Sequence, residues 1–363
     1  MSAPRSTPSP QSCRIVALPG DGVGPEVCHE ALRVVAYALK RTGVQLRVVE
    51  RPIGGAAIDA HGTPFPEATR EACLGADAVL LGAVGGPRWD PLPPDKRPEK
   101  GLLELRRTLG VYANLRPVKA RAALVAASPL RAEIVRGTDL IIVRELLGDV
   151  YFGEPRGMEE KPRRAFNTMV YTEQEIRRVA VVAFEVARTR RRVVTSVDKA
   201  NVLETSRLWR DVVTEVARDY ADVELRHALV DSCAMDLVRR PNSFDVVLTS
   251  NMFGDILSDE ASVLAGSIGL LPSASIGDGP GLYEPIHGSA PDIAGRGVAN
   301  PLGTIASAAE MLRRSLGLPE LADKIDGAID HVLDEGRRTA DLGGAVSTEQ
   351  MGGFVCQALE QLL

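Results

Sequence analysis

Short apolar runs alternate with stretches of helical spacing along this chain, and that alternation leaves few folds open. Arg14-Ile-Val-Ala-Leu18 runs into a glycine-rich turn, Pro19-Gly-Asp-Gly-Val-Gly-Pro25, and then into a helical stretch from Glu26 to about Arg41. Pro25 suits the first position of a helix, and Gly43 suits its end. Further strands are expected over 45–50, 77–84, 111–116, 139–146, 192–197, 223–230 and 244–250, with the strand before Asp231 ending at it. Helices are expected over 66–74, 99–107, 172–188 and 202–218, then from Asp231 to Arg240 and from Asn251 onward. Thr172 and Glu175 form a capping box at the start of one of them. Buried strands that alternate with helices predict an α/β fold. Residues 151–171 carry glycines and the basic Lys161, Arg163 and Arg164, and suggest a protruding two-stranded element with a strand over 165–171. After Ala265 the chain turns Gly/Ser/Pro-rich and reads as loop, with helices from Pro301, Pro319 and Thr348 closing it.

Composition narrows the function classes. At 363 residues the chain is long enough for two domains, and 45% hydrophobic with 25% charged residues is globular. A net charge of −5 argues against a nucleic-acid surface. No apolar run approaches the ~20 residues that span a bilayer. Cys13, Cys28, Cys73, Cys233 and Cys356 are odd in number and form no CxxC. They read as free thiols in a reducing, cytoplasmic compartment. The Ser- and Pro-rich start, about residues 1–13, reads as a disordered tail and not as a signal or transit peptide.

Several stretches carry candidate chemistry. Gly20-x-Gly22 follows a strand, yet Pro25 stands where a Rossmann fingerprint needs glycine, and no GK[ST] makes it a P-loop. A tight turn at a strand's carboxyl end, lining a cleft, is the reading left. In NMFGDILSDE, Asn251 is expected to cap the helix and Gly254 to allow close backbone approach. Asp255 and Asp259 lie one turn apart on one face, where like charges repel. A solvated acidic face is the bland account, and a pair of oxygen ligands for Mg²⁺ or Mn²⁺ is the sharp one. Arg116 ends one apolar strand and Arg144 sits inside another. A buried guanidinium needs a partner, either an internal acid or a carboxylate substrate. Lys199, where a strand meets a helix, is a surface lysine or an acid/base. The small residues of His287-Gly-Ser-Ala290 can offer backbone N–H groups to a diphosphate, and Asp292 can accept from ribose hydroxyls, which favours NAD over NADP.

Taken in order, LPGDGVGPEV, GLLELRR, YANLRP, VREL, YFGEPRG, DKANV, NMFGDILSDE, LLPSAS and EPIHGSAPDIAG resemble the metal-dependent β-decarboxylating (isocitrate/isopropylmalate) dehydrogenases, from residue 14 to the C-terminus. The likeness is strongest to members that act on 3-isopropylmalate. It implies two open α/β domains with a central cleft, not a Rossmann fold. The NAD-binding domain would be discontinuous, 1–111 and 266–363, with 112–265 the substrate, metal and dimerisation domain.

The resemblance also implies roles. Arg106, Arg116 and Arg144 match carboxylate-binding arginines, and Leu102 and Leu103 an apolar wall for an isopropyl group. Glu99 matches an acid near the nicotinamide, and Asn201 a further substrate contact. Asp231, Asp255 and Asp259 match metal ligands. Tyr151 and Lys199 match a catalytic pair, with Lys199 and Asp231 supplied by the partner of a homodimer. Glu284, His287, Gly288, Ser289, Ala290, Asp292 and Asn300 match the NAD site. The implied reaction is NAD⁺- and Mg²⁺- or Mn²⁺-dependent oxidative decarboxylation of (2R,3S)-3-isopropylmalate to 2-oxo-4-methylpentanoate, in leucine biosynthesis. Homoisocitrate, isocitrate or tartrate/malate are the alternative substrates within the family, and the leucines of GLLELR favour an alkyl group over them. A metal-dependent hydrolase or phosphotransferase lacks a P-loop and a nucleophile motif here. A ligand-binding, inactive relative is the third reading. The commoner pattern RELTGGIY reads here Arg144-Glu-Leu-Leu147-Gly148-Asp149-Val-Tyr151, which removes a hydroxyl and adds a charge close to Tyr151.

Overall fold

A computed structural model describes residues 12–363. Most of the expected tail, residues 1–11, lies outside the described residues, but Ser12 and Cys13 belong to the first strand. The described chain divides into two compact units. One comprises residues up to Gly110 together with Ser267–Leu363, and the other is Val111–Gly266.

In the first unit, β1 (Ser12–Gly20) leads through the glycine turn into α1 (Gly24–Leu39), with Pro25 inside its first turn. Then come β2 (Gln45–Glu50), α2 (Gly54–His61), α3 (Glu67–Leu74), β3 (Ala78–Ala83) and α4 (Pro98–Leu109). The short helix α2 is not foreseen from the sequence. Its GGAAIDAH stretch has two glycines and too few turns to show a period. Asp21 organises the turn. Its buried carboxylate accepts from the backbone N–H groups of Gly55, Ala56 and Gly85, which ties the start of α2 and the loop after β3 to β1.

The second unit opens with β4 (Val111–Lys119), the one-turn α5 (Ala132–Val135) and β5 (Asp139–Glu145). A two-stranded element follows, β6 (Gly157–Glu160) with β7 (Arg163–Phe166). Its second strand is shorter and earlier than the expected 165–171. α6 (Glu173–Arg188) has the expected capping box, and β8 (Val193–Asp198), α7 (Glu204–Ala217), β9 (Glu224–Leu229) and α8 (Val230–Arg239) continue the alternation. Asp231 therefore lies in the first turn of α8, not at the end of a strand. β10 (Val246–Thr249) and α9 (Asn251–Ala265) finish the unit. Here too an expectation is corrected. Ser250 holds the cap position of α9, and Asn251 is its first helical residue, occupied elsewhere. The sheet order is β4-β5-β10-β8-β9, antiparallel only between β4 and β5. Val118, Leu140, Ile142, Val197 and Val247 from the strands bury Leu257, Ala261 and Leu264 of α9. Each such side chain contributes about 1.5–3 kcal/mol, less for alanine.

On returning to the first unit the chain forms β11 (Pro272–Gly277) and β12 (Gly281–Pro285), an antiparallel pair where loop is expected. β12 runs parallel to β3, giving the order β2-β1-β3-β12-β11. The helices α10 (Leu302–Arg314), α11 (Pro319–Asp334) and α12 (Thr348–Leu362) end it. Among the described residues no helix is long and apolar enough to cross a membrane. All five cysteines are free.

Candidate active site

In the second unit, three predicted residues, Arg144, Arg116 and Tyr151, converge on the carboxylate of Asp255. Arg144 rises from β5 and pairs directly with Asp255 Oδ1. Its aliphatic stem lies against α9, and only a residue without a side chain allows this. A Cβ on Gly254 would stand 2.6 Å from Arg144 Cγ. Arg116, from β4, brings its guanidinium to 3.5 Å from both Asp255 and Asp259. It is further held by Asn114 Oδ1 at 2.7 Å and Ser258 Oγ at 2.5 Å. Both arginines thus have internal acids as partners. Tyr151 donates its hydroxyl to Asp255 Oδ2 at 2.8 Å, and the Arg144 guanidinium lies 5.5 Å from the centre of its ring. Burial, and then the hydrogen bond to Asp255, push the Tyr151 phenol above its usual range, so it stays protonated at neutral pH. Asp259 is exposed one turn further on.

Three groups of this neighbourhood escape the sequence reading. Asn251 Oδ1 accepts from Arg144 Nε at 3.0 Å and Nη2 at 2.7 Å. Tyr171 Oη accepts the Asn251 backbone N–H at 2.9 Å. Glu145, next to Arg144 in an apolar strand, accepts from the backbone of Leu147 and Gly148. An arginine inside an apolar run announces that such partners exist, but not which residues supply them. Asp149, foreseen as a charge near Tyr151, is fully buried with φ +71°. Its carboxylate accepts from Met252 N at 3.1 Å, in the first turn of α9.

Lys199 and Asp231 form a second cluster of the same unit. Lys199 Nζ lies 2.6 Å from Asp231 Oδ1, and this bond holds the Asp231 carboxyl below the usual range. Asn201 is exposed in the turn between β8 and α7. Asp198 is buried behind Lys199 and grips Arg210 with two bonds of 2.9 Å. Among the described residues no three His, Cys, Asp or Glu side chains gather as a metal-holding group. The two α9 carboxylates suit a hard divalent cation as two of its ligands.

The first unit holds the remaining candidates. On α4, Leu105 is core, Leu102 and Leu103 are half-buried, and Glu99 is exposed beside Gly85. Arg106 is buried and paired with Glu284 at 2.8 Å. The His287–Ala290 loop packs on the glycine turn. Val23 N donates to Ser289 O at 2.8 Å, and a Cβ on Gly22 would stand 1.9 Å from that oxygen. Ala290 is left-handed, Gly288 faces open space, and Asp292 is exposed. Burial keeps the His287 imidazole neutral, and its buried Nε2 has no hydrogen-bond partner among the described residues. An orphaned ring nitrogen beside an open glycine fits a loop that receives a polar ligand such as a dinucleotide. Asn300 is buried, its amide donating to Asp341 and accepting from Leu302 N.

Comparison with known proteins gives a consistent set of relatives. A family profile described as isocitrate/isopropylmalate dehydrogenase matches residues 14–355. A 3-isopropylmalate dehydrogenase of Aquifex aeolicus is 55% identical over 355 residues, covering 96% of this chain and 98% of the relative. One of Nitratidesulfovibrio vulgaris is 57% identical, covering 95% and 99%. Among solved structures, an isocitrate dehydrogenase from Methylococcus capsulatus superposes with TM-score 0.85 at 33% identity, covering 96% of this chain and all of that one. A β-decarboxylating dehydrogenase from Thermococcus kodakarensis gives TM-score 0.80 at 38% identity, covering 96% and 97%.

Proposed function

We propose, from the premise that this chain belongs to the isocitrate/isopropylmalate dehydrogenase family, that it oxidatively decarboxylates (2R,3S)-3-isopropylmalate to 2-oxo-4-methylpentanoate and CO₂, with NAD⁺ as the oxidant, in leucine biosynthesis. The observation that carries the reading is Asp255 with Arg144, Arg116 and Tyr151 around it, one turn from Asp259, in a chain more than half identical to relatives of that name.

Each group has a task. Arg106, Arg116 and Arg144 bind the substrate carboxylates. Leu102 and Leu103 offer an apolar surface to the isopropyl group, with Asn201 and Glu99 as further contacts. Asp255 and Asp259, with Asp231 of a second copy of the chain, would hold Mg²⁺ or Mn²⁺, which would supply Lewis-acid chemistry to the reaction. Lys199 of that second copy, oriented by its contact with Asp231, helps remove the C2 hydroxyl proton through a water. The 287–300 loop would hold NAD⁺, which would supply the hydride acceptor. Loss of CO₂ leaves an enolate, and Tyr151, kept protonated by its surroundings, delivers a proton to the carbon. Apolar Met235 and Ile256, 56% and 60% exposed on α8 and α9, support a homodimer. The cysteine content supports a cytoplasmic location.

The test is NADH absorbance together with CO₂ release from 3-isopropylmalate, with Mg²⁺ and with EDTA. Turnover that EDTA abolishes, with kcat/KM well above that for isocitrate, homoisocitrate or malate, is expected. Equal turnover of a polar substrate would sink the substrate assignment, and no NADH under any metal would sink the enzyme reading.

A further inference from the structure

We propose that Asn251 and Tyr171 are positioning residues for Arg144, an inference that rests on reading Arg144 as a carboxylate-binding group. Asn251 is buried at the first turn of α9, and its amide is committed at both ends. Oδ1 takes two N–H groups of Arg144, Nε at 3.0 Å and Nη2 at 2.7 Å. Nδ2 donates to Gly148 O at 3.2 Å. A flipped amide would set N–H against N–H at one end and oxygen against oxygen at the other, so one orientation is selected. Two bonds from one oxygen to Nε and Nη2 fix the plane of the guanidinium. A bidentate grip on a carboxylate depends on that plane.

Tyr171 fixes Asn251 in turn. Its hydroxyl oxygen accepts the Asn251 backbone N–H, and its proton faces two fully buried carboxyls, Glu145 Oε2 at 3.1 Å and Asp149 Oδ2 at 3.4 Å. Asp149 also holds Met252 N, the next amide of the helix. The phenol ring is braced edge-on against Trp209, with centroids 5.4 Å apart. One hydroxyl therefore ties three pieces of chain together: the strand end at Glu145, the turn at Asp149 and the start of α9. Arg144 and Tyr151 belong to the first two pieces, and Asp255 belongs to the third. The competing account is that these bonds only hold the unit together, with no bearing on the substrate.

Asn251→Ala, Tyr171→Phe and the double variant separate the two accounts. Each single variant is expected to raise KM for 3-isopropylmalate about tenfold, the effect of one lost hydrogen bond to a charged group. KM for NAD⁺ should stay within twofold. In the Asn251→Ala background, Tyr171→Phe should add nothing to KM, because the side chain through which it acts is gone. Thermal melting of each variant, and of Tyr220→Phe as a phenol control away from this cluster, separates loss of stability from loss of alignment. Additive effects on KM, or an unchanged KM in Asn251→Ala, would overturn the proposal. A second readout needs no substrate. In arginine-labelled protein the Arg144 Nε–H resonance should be slow to exchange in the parent and fast in both single variants, and equal exchange in all three would overturn it as well. If the parent fails to turn over 3-isopropylmalate, the functional reading fails, while the exchange measurement still decides the positioning.

Discussion

Arg144 and Glu145 are neighbours in one strand, both buried, and the alternation of a strand sends them to opposite faces. Arg144 meets carboxylate and amide partners on α9. Glu145 meets backbone N–H groups and one phenol, with the Arg178 guanidinium acting from a distance. These do not compensate for the loss of water, and burial pushes the Glu145 carboxyl up to about 7. Its folded value thus lies above the unfolded one, near 4.3. Its stabilising contribution is complete below the unfolded value and is lost as pH rises through about 7. We predict that the parent loses roughly 2 kcal/mol more stability between pH 5.5 and 8 than Glu145→Gln, which cannot ionise. Denaturant titrations at the two pH values check this, and parallel pH profiles would show that Glu145 is ionised throughout. At this scale the sequence shows that a charge is buried, because Arg144 and Glu145 interrupt an apolar run. It does not show the partners, since Asn251 and Tyr171 are 107 and 26 residues away from Arg144 and Glu145.

Among the elements, α9 is the most readable and also the most deceptive. Its four-residue spacing places Asp255 and Asp259 on one face, and its leucines belong to the core as the pattern implies. Gly254 is readable as a point of close approach, but the group that approaches is the stem of Arg144 and not a backbone. Two effects oppose each other in Gly254→Ala. Alanine gains about 1 kcal/mol of helix propensity, while the Cβ collides with Arg144 Cγ, and overpacking of this kind typically costs about 1–3 kcal/mol. We predict little net change in Tm, yet a rise in KM for 3-isopropylmalate as Arg144 is pushed aside. An unchanged KM would mean that the arginine accommodates the methyl group without losing its alignment. The β11–β12 pair was illegible for a different reason. Ser273, Ala274 and Ser275 are buried, but small polar residues carry no period-two apolar signal. They are buried because α10 lies close, and Ser307 of that helix accepts the Ser273 N–H and donates within reach of Glu284 O.

For the whole molecule, the spacing of its acids matters most. Within one chain Asp255 and Asp259 stand with the arginines, while Asp231 stands with Lys199. Both groups lie in the second unit, and α8 and α9, which carry the acids, also expose Met235, Val238, Ile256 and Val263. A second copy packed on those helices would cover the apolar side chains and could bring its Lys199 and Asp231 to the Asp255 site. The fold alone does not require this, and no single-chain pattern encodes it, because the complementary half of the surface is the same sequence again. Mixing variants tests it directly. Lys199→Ala and Asp255→Asn should each be inactive as a pure dimer. In a mixed dimer, the site built on the Asp255 of the first variant takes Lys199 from the second, and is intact. The other site carries both lesions. With random reassortment half of the dimers are mixed and each has one working site of two, so about a quarter of the parent activity should return after denaturing and refolding the two variants together. Sites complete within one chain predict no recovery at all, and size-exclusion chromatography of Ile256→Glu adds the complementary result: a folded monomer without activity if the sites are shared, and a folded, active monomer if they are not.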